Sequence, residues 1–199
     1  FTLVFIRIFI AMLLLAPIAL ISKRSISLGT EWKNFSSLAM LANVLPFSLI
    51  SWSEKYIPSS LSAIYMAMIP IVTVIIAHLF TQDEKMTTKK IMGLILGFTG
   101  VLVLFFMGND NTLIFSYIGQ ISCLIAAFCY ATARIITKKL SHLSPFVTSF
   151  HVLLYSCIIC FPISLLHDSP WKLMPSYHAI LSVLALGIIS TALPFIILY

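Results

Sequence analysis

Uncharged apolar runs of about 20 residues recur along this 199-residue chain, and no other feature limits its fold as strongly. A bilayer core about 30 Å thick is crossed by roughly 20 residues of helix. Seven such segments, A to G, can be marked at 1–22, 35–53, 59–82, 91–108, 112–133, 146–166 and 177–199. Lipid offers no water to unpaired backbone groups, so each run is expected to be a helix; a barrel would need shorter, alternating segments. With 60% hydrophobic residues and 9% charged ones, too few polar side chains remain to coat a water-soluble globule. A soluble domain and a nucleic-acid module are excluded, and the lipid bilayer is the first partner.

The net charge of +6 is a matter of topology rather than of an acidic partner. Lys23, Arg24 and Lys33 lie between A and B, Lys85, Lys89 and Lys90 between C and D, and Arg134, Lys138 and Lys139 at the end of E. The alternate loops hold only Lys55 and Lys172. The excess places the first set in the cytoplasm, so that A and G both run from outside to inside. Trp32, Trp52, Tyr56, Tyr117 and Trp171 fall near span ends, where an aromatic belt places them. Cys123, Cys129, Cys157 and Cys160 all lie in apolar runs and read as small packing residues. Nothing in the sequence asks for a metal or a cofactor.

Two stretches recur. Leu45-Pro46-Phe47 in B returns as Leu193-Pro194-Phe195 in G, an offset of 148 residues, and Ala16-Pro17-Ile18 in A returns as Phe161-Pro162-Ile163 in F, an offset of 145. A then corresponds to F and B to G, five helices apart. Five is odd, so the second copy lies upside down relative to the first, the architecture of many secondary transporters. On this reading 1–108 is a first repeat lacking its first helix, and 112–199 a second lacking its last two. The chain is expected to be helices two to eight of ten, and Leu45-Pro46-Phe47 and Leu193-Pro194-Phe195 to face one another across a central pathway.

A solute pathway needs polar groups that face a cavity. Prolines supply some through the backbone, because proline lacks the N–H that would satisfy the carbonyl four residues earlier. Pro46 and Pro194 are candidates on that ground, and Pro70 is read as a structural bend. Serines and threonines mostly bond their own helix. Asn43, Tyr65, Gln120 and Tyr130 are harder to hide and are the best cavity candidates, joined by Trp52, Thr191, His151 and, one turn after it, Tyr155. His78 reads as interfacial. Arg7 is the only charge deep in a span; at about 2.5 to 3.5 kcal/mol on insertion scales it must face the bundle or reach an interface, which gives it a structural or gating role. Gly93, Gly97 and Gly100 make a smooth face on D, suited to packing or to a homodimer. Glu84 is placed to bond a helix end.

These residues together resemble the EamA family of the drug/metabolite transporter superfamily: Arg7 and Ala11 in A, Leu45-Pro46-Phe47 with Glu54, Pro58 to Ala63 and Pro70, Asp83-Glu84-Lys85 with the three glycines of D, Tyr130, and Ser190 to Phe195. One departure is that Ile8 follows the arginine where the family places an aromatic. The resemblance implies an all-α polytopic membrane protein of two inverted five-helix bundles. It further implies a bacterial inner-membrane location and movement of small organic metabolites or drugs by alternating access, commonly outward. The rival classes are a channel and an intramembrane enzyme. For the latter no GxSG, no HExxH and no paired intramembrane aspartates are present.

Overall fold

The computed structural model describes residues 1–21, 31–80, 87–107, 117–168 and 176–192. Within them are seven helical segments and no strand: α1 (Thr2–Ile21), α2 (Trp32–Ser53), α3 (Ser59–Phe80), α4 (Thr88–Met107), α5 (Tyr117–Lys139), α6 (Pro145–His167) and α7 (Tyr177–Ala192). They take up segments A to G in order. The helices α2, α3, α5 and α6 are long and apolar enough to cross a membrane. Several begin or end beyond the apolar runs: α2 starts at Trp32 and α5 continues to Lys139, since lysine and arginine are good helix formers once the chain has left lipid. Pro194, Leu193, Phe195 and Glu84 lie outside the described residues, so the expected facing of the two Leu-Pro-Phe motifs does too.

Two helices are not uniform. In α2 the turn Ala39–Val44 is π-helical, and α-helix resumes at Leu45. In α7 the turn Leu186–Ala192 is likewise π-helical. A third, α3, breaks at Ala67 and Met68, just ahead of Pro70. The pyrrolidine ring collides with the carbonyl four residues before it, and widening or breaking the preceding turn removes the collision. Pro17 and Pro162, by contrast, sit inside unbroken α-helix.

The chain divides into two compact units, Phe1–Val44 with Ile136–Tyr199, and Leu45–Ile135. In the first unit α1 and α6 make the broadest contact, α1 also packs on α7, and α6 packs on the first half of α2. The apolar stripe of α1 is Val4, Ile8, Ala11 and Leu15, spaced to share one helix face and almost fully buried. The start of α1 meets the end of α6, so the two are antiparallel. The Thr2 amide and hydroxyl donate to the Asp168 carboxylate at 2.5 and 3.0 Å, the Thr2 and Ser164 hydroxyls are 2.9 Å apart, and Phe5 meets Phe161. Antiparallel A and F agree with the directions given by the lysine count.

In the second unit α3 packs against α4, and α5 crosses the end of α2 and the start of α3. Gly119 permits that crossing: a Cβ there would stand 3.1 Å from the Ile57 side chain and 3.3 Å from the Ser53 carbonyl. The buried cluster is Ile57, Leu61 and Cys123. The glycines of α4 form an open face among the described residues. A Cβ on Gly93, Gly97 or Gly100 would meet nothing within 4 Å, so this face covers no other described residue.

Candidate functional site

Helix α6 carries a buried polar face in the first unit, because Thr148, His151, Tyr155 and Ser156 recur at helical spacing. The His151 imidazole lies against the Val147 carbonyl, with Nδ1 at 2.7 Å, and stacks on Phe35 with ring centroids 5.1 Å apart. A carbonyl can only accept, so Nδ1 carries the proton in this contact. Tyr155 stacks on the other part of the same Phe35 ring at 6.2 Å. Phe35 is fully buried. One turn further along, the Asn43 amide donates to the Ser156 hydroxyl at 2.9 Å, and that hydroxyl donates back to the Val152 carbonyl at 2.7 Å. Phe35 meets α6 at His151 and Tyr155, and the later Ala39 and Asn43 both meet it at Ser156, so α2 and α6 run in the same direction.

The other polar cluster of this unit joins α1 to α7. Arg7 Nε donates to the Thr191 hydroxyl at 2.8 Å and Nη2 to the Ser190 hydroxyl at 3.0 Å. Both hydroxyls also donate to the Leu186 carbonyl, at 2.7 Å from Ser190 and 3.0 Å from Thr191. The helices come close because residue 187 is glycine: a Cβ there would stand 3.0 Å from Ile10 and 3.2 Å from the Arg7 carbonyl. Arg7 is therefore held within the bundle by two hydroxyls rather than reaching away from it.

The second unit has its own polar contacts. The Tyr65 hydroxyl donates to the Gln120 side-chain carbonyl at 3.0 Å. The Cys123 sulfur lies 3.1 Å from the Ser53 hydroxyl and 3.3 Å from that of Ser62. Tyr130 meets Phe47 edge to face at 6.4 Å, and Trp52 tilts over Tyr56 at 4.8 Å. Pro46 is fully buried. The structure thus joins Asn43 to the His151 and Tyr155 face, Thr191 to Arg7, and Tyr65 to Gln120.

Sequence reasoning set serines aside as bonding their own helices, and Thr73, Thr99, Ser122 and Thr132 do so. Ser156 and Ser190 bond their own helices and a neighbour as well. Each lies beside a helix pair in which a polar residue stands three positions before a proline. Asn43 precedes Pro46, and Thr191 precedes Pro194, by that spacing, whereas Leu14 and Ile159 stand there before Pro17 and Pro162. The Ser48 and Thr148 hydroxyls are buried with no hydrogen-bond partner among the described residues.

Phe35→Ala tests how far this face depends on its central ring. A water-soluble core loses about 3 to 5 kcal/mol for such a change. In lipid both states are apolar, the transfer part largely cancels, and only lost packing remains. A loss of about 2 kcal/mol is expected, read as a lowered midpoint when the full-length protein is unfolded by SDS in mixed micelles.

The family profile described as the EamA-like transporter family matches residues 1–106 and 117–199. An uncharacterized transporter of Bacillus subtilis (strain 168), YoaV, is 24% identical over 196 residues, covering 96% of this chain and 66% of that protein. An uncharacterized transporter of Archaeoglobus fulgidus is 27% identical over 188 residues, covering 93% of this chain and 64% of that protein. The chain therefore spans about two thirds of the length of these curated relatives. No solved structure matches it. A profile match over nearly every residue of this bundle of apolar helices leads to one conclusion: the chain belongs to the EamA-like transporter family.

Proposed function

We propose that the protein of which this chain is part moves small organic solutes across a bacterial inner membrane by alternating access, in the outward direction, through two inverted repeats carried by residues 1–108 and 112–199. The observation that carries this reading is the recurrence of the π-helical turn. Residues 39–44 of α2, shifted by the 148-residue offset of the Leu-Pro-Phe motifs, fall within 186–192 of α7. Two further features support the repeat. Exchanging α1 with α6 and α2 with α7 leaves the contacts of the first unit unchanged, since α1 on α7 becomes α6 on α2. Equivalent positions also play equivalent parts: Asn43 bonds α6 as Thr191 bonds α1, and Ala39 approaches Ser156 as Gly187 approaches Ile10. The glycine face of α4, open among the described residues, is assigned to a second copy of the chain.

The test is transport by the full-length protein in proteoliposomes, over a panel of amino acids, nucleotide derivatives and cationic drugs. At least one class should be moved, and Asn43→Ala or Tyr130→Ala should slow it about tenfold or more, as removal of one or two hydrogen bonds would. Thr99→Ala, which only loses a bond to its own helix, should leave it unchanged. Equal effects at all three positions would refute the cavity assignment, and peptide cleavage without solute movement would favour an enzyme.

A further inference from the structure

We propose that the two π-helical turns are a matched pair of switches, each able to rewind into α-helix and thereby to turn Asn43 or Thr191 away from the neighbouring helix. The proposal rests on the transport reading above and gives it moving parts.

A π turn holds more residues than an α turn, so it has looser backbone hydrogen bonding and is stable only where something compensates. Proline alone does not suffice, because Pro17 and Pro162 sit in unbroken α-helix. The two π turns differ from those sites in having a side chain that reaches another helix. Asn43 is fastened to Ser156 at 2.9 Å. Thr191 accepts from Arg7 at 2.8 Å, and its hydroxyl bonds the Leu186 carbonyl five residues back, the spacing of the π ring itself. These bonds offset the widened turns, so breaking them favours rewinding.

Rewinding changes which way side chains face. One residue is about 100° of an α-helix, so regaining α winding moves a side chain within the turn by about that much relative to its neighbours. Asn43 then leaves Ser156, and Thr191 leaves Arg7. The carboxamide and hydroxyl so released are hydrogen-bonding groups in an apolar setting, matched to a solute bearing hydroxyl, amide or carboxylate groups. Such a solute replaces the interhelical bond and holds the rewound state. The division of the chain into compact units falls between Val44 and Leu45, at the end of the first π turn. The second unit begins where that turn stops.

Amide hydrogen exchange of the full-length protein in nanodiscs, followed by mass spectrometry, tests this without reference to transport. Amides of 39–44 and 186–192 should exchange about tenfold faster than those in the adjoining turns of α2 and α7. Ser156→Ala, which favours rewinding, should slow 39–44 to about the rate of the adjoining turns and leave 186–192 alone. Gly187→Ala, whose Cβ would stand 3.0 Å from Ile10, should do the reverse. Exchange in both π turns as slow as in their flanks would overturn the proposal, as would variants that fail to slow their own turn or that change turn and flanks alike. Fast, separately responsive turns in a protein that moves no solute would overturn the transport reading and leave the switches standing.

Discussion

Gly187→Leu should cost the full-length protein about 2 to 3 kcal/mol of stability, and the same change at Gly97 about nothing in a monomer. The two glycines look alike in sequence, since each lies in an apolar helix. Their surroundings differ. At position 187 a Cβ alone would stand 3.0 Å from both Cβ and Cγ2 of Ile10 and 3.2 Å from the Arg7 carbonyl. Backbone cannot retreat as a flexible side chain can, so α7 must move off α1. That movement also lengthens the bonds from Arg7 to Thr191 and Ser190. At Gly97 none of the described residues lies within 4 Å, so a leucine there displaces none of them. Unfolding by SDS in mixed micelles gives the comparison, and equal midpoints for the two variants would contradict the described α1 and α7 contact. Gly97→Leu has a second use. If a second copy rests on the glycine face of α4, it would be driven off, so any dimer of the parent protein should be lost in the variant.

Arg7→Leu is expected to split two properties that usually fall together. A charge within a span costs about 2.5 to 3.5 kcal/mol on insertion scales, so its removal should leave membrane insertion as good or better. The guanidinium also makes two charge-assisted bonds to α7, to Thr191 and Ser190, and hydrogen bonds to charged groups contribute about 1.5 to 3 kcal/mol each. Their loss leaves both hydroxyls with their own helix, through the Leu186 carbonyl, so neither is stranded and the protein should fold. The α1 to α7 clasp is what goes. Transport should fall by about tenfold or more while the amount of protein in the membrane holds or rises. Loss of both together would mean that Arg7 serves folding alone.

How far the sequence could be read depended on which force fixed each feature. The helices were legible because lipid admits almost no other backbone state for runs such as 59–82 and 146–166. The directions of α1 and α6 were legible because nine cations lie on one side of the spans and two on the other. The site was legible only in its parts. Asn43, Tyr65, Gln120 and Tyr130 could be singled out as costly to leave unpaired in lipid, but the choice of partner depends on which helices cross and at what residue. Gly187 and Gly119 decide two of those crossings, and each is followed four residues on by a small residue, Thr191 or Cys123, a fainter mark than the three glycines of α4. The π turns were hidden for a related reason. Proline announced a bend in α2, but whether the turn widens or stays α depends on whether a side chain three residues earlier finds a bond on another helix.

The discontinuity of the first unit bears on how the protein is made. Its parts are Phe1–Val44 and Ile136–Tyr199, with the whole second unit between them. The stripe Val4, Ile8, Ala11 and Leu15 on α1 finds its shelter on α6, which starts at Pro145. At synthesis rates of about 5 to 20 residues per second, α1 waits on the order of 10 s for that partner. A water-soluble protein would expose an aggregation-prone face for that time. Here the waiting face is as apolar as the lipid around it, so delay costs little, and only Arg7, without its two hydroxyls until α7 emerges, makes the interval expensive. Residues 45–135 form a continuous stretch and can assemble first, leaving α1 to close onto α6 and α7 afterwards.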